Sequence, residues 1–160
     1  MRRSATLNPS RMPSRTTLEV FIAIASLRQR NYDLHGAELE LRKALLIFPQ
    51  EPIASANLAI VLADEGEQLR GRDATNKYNQ AEALFRSAVT ARSDSPAMHA
   101  NFAAFLIRRG RLEEAERMLQ VATILAPDNE TLAANLRGVE ELRAQAQPGR
   151  DGKERRVLTK

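Results

Sequence analysis

The sequence predicts an all-α fold: a solenoid of helical hairpins with three repeats, a C-terminal capping helix and a disordered basic tail at each end. Three observations predict it. One stretch, Pro96 to Asn129 (PAMHANFAAFLIRRGRLEEAERMLQVATILAPDN), carries apolar residues at helical spacing in two separate runs. The same order of alanines, turn and proline recurs at a fixed period along the chain, as in stacked repeats. The chain is 43% hydrophobic but only 4% aromatic, with no Trp. A core drawn from Leu, Ile and Ala suits closely packed helices.

The stretch 96–129 sets the register. Ser95 is a good N-cap, and Pro96 suits the first helical position, where its missing N–H costs nothing. Met98, Phe102, Phe105 and Leu106 form the apolar stripe. Gly110 stops the helix, and Arg108 and Arg109 suit its negative end. Leu112, Ala115, Leu119 and Ala122 give a second helix its own stripe, and Pro127 bars its continuation. Ala103, Ala115 and Ala122 fall where the two helices must pass closely.

Repeat one, 18–51, places Ala25, Ala37, Ala44 and Pro49 at the same stations. Thr16 with Glu19 reads as a capping box, so its first helix is expected from there to about Arg30. The second is expected over 34–48, after a turn at Asn31–Asp33 that lacks the usual glycine. Repeat two, 52–95, carries Leu58, Ala59 and Leu62, then Gly66 as its turn; the pattern resumes with Tyr78, Ala81, Phe85 and Ala88. It is about ten residues longer than the usual period of about 34. The excess, 66–77 (GEQLRGRDATNK), has two glycines and many polar groups, and reads as an exposed extension between the helices. A capping helix over 130–147 closes the domain, 18–147, before Pro148 and Gly149.

The net charge of +4 is unevenly placed. Residues 1–17 hold Arg2, Arg3, Arg11 and Arg15 and no acid, and residues 148–160 hold Arg150, Lys153, Arg155, Arg156 and Lys160 against Asp151 and Glu154. The part between is net acidic, so the basicity belongs to tails whose composition reads as disordered. The first tail has the Arg-rich look of a mitochondrial presequence, but Pro9 and Pro13 argue against the amphipathic helix that would need. No apolar run approaches the roughly 20 residues of a membrane span. Absence of Cys fits a reducing compartment, and a cytoplasmic protein is expected.

Nothing in the pattern supports catalysis, a cofactor or a metal. His35 is expected to be exposed beside a turn, and His99 to be a packing residue. Glu113, Glu114 and Glu116 follow a turn and suit the positive end of a helix.

The alanines, Gly110 and the prolines resemble those of the tetratricopeptide repeat family; His99 stands where that family often has tryptophan. The resemblance implies a concave face lined by the first helix of each repeat, and so a protein-interaction adaptor or scaffold that binds an extended peptide segment of a partner. Carried over, it implies a groove of Ile22, Ala56, Asn57, Ile60, Ala100, Asn101, Ala104, Ile107 and Arg108, with Asn135, Ala134 and Gly138 from the capping helix. Asn57, Asn101 and Asn135 hold equivalent places. An asparagine amide offers both donor and acceptor, so such a row suits the backbone of an extended chain; it resembles the asparagine ladder of O-GlcNAc transferases, or else ties neighbouring helices together. The places where chaperone-binding members clamp a terminal carboxylate hold Ile22, Ser26, Asn57, Ala97 and Asn101, without the cations that a carboxylate needs.

Other readings are a nucleic-acid-associated or ribonucleoprotein subunit, whose tails make weak, salt-dependent contacts to phosphate, and a regulatory subunit of an enzyme encoded elsewhere. Self-association through the apolar groove is a further expectation.

Overall fold

The computed structural model describes residues 14–146. The basic tails therefore lie outside the described residues, apart from 14–17. Among the described residues seven helices follow one another without a strand: α1 Arg15–Arg30, α2 Leu34–Ile47, α3 Pro52–Gln68, α4 Gly71–Ala91, α5 Pro96–Arg108, α6 Leu112–Leu125 and α7 Glu130–Ala146. The chain divides into two compact units within α4, one ending at Leu84 and the other starting at Phe85.

In the first unit, α2 packs on both α1 and α3. The contacts are close because the alanines at the crossings have almost no side chain to separate the backbones: Ala25, Ala37, Ala44 and Ala59 are all buried. α1 begins earlier than the sequence suggests. The Ser14 hydroxyl, not Thr16, caps it by accepting from the Thr17 N–H at 3.3 Å. Glu19 is drawn to Arg15 instead of reaching back for a capping box.

The turn from α1 to α2 repeats the one from α5 to α6. Asp33 N–H donates to Arg28 C=O as Arg111 N–H donates to Leu106 C=O, each at 2.9 Å. This double closure needs one residue in the left-handed region. In the second unit Gly110 supplies it at φ 72°; in the first, Tyr32 is forced there at φ 61°. A Cβ in that region costs roughly 1–2 kcal/mol, and the Tyr32 side chain, 87% exposed, recovers little by packing. Tyr32→Gly is therefore expected to stabilise the fold by about 0.5–1 kcal/mol after glycine's greater unfolded-state entropy is subtracted. A urea titration showing no gain would contradict this account of the turn.

The extra length of the second repeat is not a loop. α3 and α4 are 17 and 21 residues long where α5 and α6 have 13 and 14, so the surplus lengthens both helices of a hairpin that turns at Leu69–Arg70. Gly66 is not the turn. It lies buried inside α3, and a Cβ there would stand 2.7 Å from the Tyr78 ring. The glycine lets α3 and α4 approach; the turn uses Gly71, at φ 62°.

In the second unit Phe85, Phe102 and Phe105 form an aromatic cluster with centroids 5.3–6.3 Å apart. The Arg86 guanidinium lies 5.4 Å from the centre of the Phe102 ring. α6 packs between α5 and α7, over the buried Ala103, Ala115 and Ala122. Ser95 occupies the N-cap of α5 but its side chain makes no capping hydrogen bond.

Candidate functional site

The residues expected to line a groove fall in both units. In the first, Ile22, Asn57 and Ile60 are half-buried. Ala56 is not a floor that a guest could touch: it is only 2% exposed, because α3 is contacted by both α1 and α2 and buries residues nearly all round its axis. Ser26 turns its hydroxyl back to the Ile22 carbonyl, at 2.9 Å, and Gln29 donates to Asp64 across the helices.

In the second unit, α5 and α7 enclose an open trough of about 460 Å³. Ala100, Ala104 and Ile107 line one wall, and Ala134, Asn135, Gly138 and Leu142 the other; Leu119 and Val139 complete its lining. The wall is apolar except for the Asn135 amide, which is exposed. Asn101 is half-buried on α5, and Arg108 is exposed at its end.

Gly138 stands out physically. It lies mid-helix in α7, where glycine costs about 1 kcal/mol relative to alanine. A Cβ there would meet nothing within 4 Å. Neither packing nor backbone conformation asks for glycine; its effect is to leave the trough wide.

Residues 74–139 match the tetratricopeptide repeat family model. Over that stretch the chain is similar to tetratricopeptide repeats. No curated protein matches it. Among solved structures, PilF of Pseudomonas aeruginosa is 27% identical at a TM-score of 0.66, over 81% of this chain and 55% of its own. An O-GlcNAc transferase of Thermobaculum terrenum is 24% identical at 0.65, over 80% of this chain and 23% of its own. The first tetratricopeptide domain of Spaghetti (RPAP3), solved with an HSP90 peptide, is 17% identical at 0.67, over 84% of this chain and 98% of its own. The tetratricopeptide helical-hairpin fold is what these structures share with the chain. No helix among the described residues is long and apolar enough to cross a membrane.

Two polar features lie inside the helical frame. The first is a cluster in the first unit. Lys77 donates to Glu38 at 2.9 Å and to Glu65 at 2.5 Å, and Arg42 donates to Glu38 at 2.7 Å. Burial disfavours all three charges. In Lys77 the hydrogen bonds to Glu65 and Glu38 outweigh that burial and hold the ammonium above its ordinary pKa. In Glu38 the hydrogen bonds from Lys77 and Arg42 outweigh it and hold the carboxyl below. In Glu65 burial wins, with the Glu38 charge adding to it, and the carboxyl is pushed up. His35 joins the two carboxylates to make a set with ligand atoms within 4.8 Å of one another, the nearest approach to a metal-ligand geometry among the described residues. Lys77 already holds both carboxylates as an internal cation, so the cluster works as a clamp on α2, α3 and α4.

The second feature is His99, which the sequence reads as a packing residue. It is 5% exposed, and its Nε2 lies 3.2 Å from the Ser93 carbonyl. A carbonyl only accepts, so Nε2 carries the proton and the buried Nδ1 is left with no partner. Burial lowers its pKa. The unfolded chain then takes up the proton first as the pH falls, so His99 costs stability progressively below about pH 6.5 and nothing above it. Urea midpoints measured between pH 7 and pH 5.5 are expected to fall less steeply in His99→Gln; equal slopes would contradict the assignment.

Proposed function

We propose that the chain is a protein-interaction adaptor that holds an extended segment of a partner protein along the face formed by α5 and α7. The observation that carries this reading is the trough itself: small apolar side chains and an otherwise unexplained glycine leave room for a guest chain. Ile107 and Leu142 offer the guest apolar contact, and the Asn135 amide offers one donor and one acceptor to its backbone. Asn101 adds a second amide from α5, and Asn57, at the equivalent place of α3, offers the same chemistry in the first unit. A site that grips backbone and small apolar groups reads extension more than sequence, which suits a scaffold. The family implication of a concave binding face supports the proposal, and so does the HSP90 peptide in the Spaghetti (RPAP3) domain, as an example of a peptide held by this fold.

The test uses a displayed library of short random peptides selected on the 160-residue chain. Selected peptides are expected to lose about two- to tenfold in affinity for Asn135→Ala, the value of one net hydrogen-bonded amide. They should lose at least about a hundredfold for Ile107→Asp, which sets an unpaired carboxylate on the trough wall. Peptides that bind both variants as they bind wild type would place the site elsewhere.

A further inference from the structure

Among the described residues, the outer face of α1 is apolar and uncovered. Val20, Ile24 and Leu27 are 50%, 37% and 57% exposed, and their spacing puts them on one stripe. The other repeats show what such a stripe is for. The equivalent places are Ala54, Leu58 and Val61 in α3, and Met98, Phe102 and Phe105 in α5; none of the six is more than 8% exposed. α2 packs on α3, and the Phe85 end of α4 stacks against α5. In α7 the same stripe is buried at Leu132 and Val139 and half-buried at Leu136, and α6 packs on that helix. Among the described residues, no helix covers the stripe of α1.

We infer that this face is a self-association surface, on which α1 of a second copy packs antiparallel about a two-fold axis near Ile24. Two observations select that occupant. Head-to-tail stacking through the other end of the chain would bury the exposed charges Arg137, Glu140 and Glu141 on α7. The stripe is also self-complementary: antiparallel pairing sets Val20 of one copy against Leu27 of the other, with both Ile24 side chains beside the axis. Glu19 and Arg30 are exposed on one flank of the stripe, about three turns apart, so the same pairing brings each Glu19 to the Arg30 of the other copy. A single helix face per copy is small for an interface, which puts the affinity in roughly the micromolar range.

Sedimentation equilibrium on the full chain, up to about 0.5 mM, reads the association directly. A concentration-dependent dimer is expected, and Val20→Asp with Leu27→Asp should weaken it at least about a hundredfold. Helix content and melting of that double variant should stay as in wild type, because both side chains are exposed in the single copy. The chain has no cysteine, so Ile24→Cys is expected to form a disulfide-linked dimer on mild oxidation while Leu39→Cys, on α2, does not. A chain that stays monomeric at the highest concentration, or a double variant that dimerises like wild type, overturns the inference. It is equally overturned if a synthetic peptide of α2, Leu34–Ile47, binds the Val20 face of a monomeric chain, since a partner's helix would then be the occupant.

Discussion

Replacing Lys77 by methionine is expected to destabilise the fold by about 2–3 kcal/mol, the cost of leaving two mostly buried carboxylates without their shared cation. The Glu38 and Glu65 side chains are 11% and 12% exposed, and Lys77 itself 25%, so solvent screens the cluster only weakly. Two features keep the cost from rising further. Arg42 stays on Glu38, and Glu65, already pushed up by burial, relieves its charge by taking a proton. The triple variant Lys77→Met, Glu38→Gln, Glu65→Gln should recover part of the loss, because no charge is then left unpaired in the cluster. Urea unfolding at pH 7 measures both, and a loss under about 0.5 kcal/mol for Lys77→Met would show that the clamp contributes nothing beyond an exposed ion pair.

The clamp also ties Lys77, at the end of 66–77, to α2 and α3. The composition of 66–77 reads as a loop because it holds two glycines and many polar residues. In the structure Gly66 admits the Tyr78 ring, Gly71 makes the turn, and Lys77 neutralises carboxylates on two other helices. Each is a tertiary use of a residue whose local signal says loop. Hairpin spacing was legible for the opposite reason: Ala37, Ala44, Ala115 and Ala122 are local marks of crossings, and all four are wholly buried. The candidate trough was legible only in part. The family resemblance implied a face of Ala100, Ala104, Ile107, Ala134, Asn135 and Gly138, and these residues do line one trough. It could not show that Ala56 is buried, because the faces of α3 are decided by how many helices contact it. Nor could it show the clamp, whose three groups come from separate helices, or that Tyr32 would be driven into the left-handed region in place of a glycine.

The most direct measurement of the central claim uses Gly138→Leu. A side chain added there enters open space, so no clash is expected, and exchanging glycine for leucine in a helix gains about 0.8 kcal/mol. The folded state should be as stable as wild type or more so. The same side chain would project into the trough between α5 and α7 and narrow it against a guest chain. Calorimetric titration of a library-selected peptide should therefore show affinity reduced by at least about tenfold, alongside an unfolding midpoint that is unchanged or raised. A gain in stability with undiminished binding would contradict the account, because the trough would then be narrowed and the partner still held.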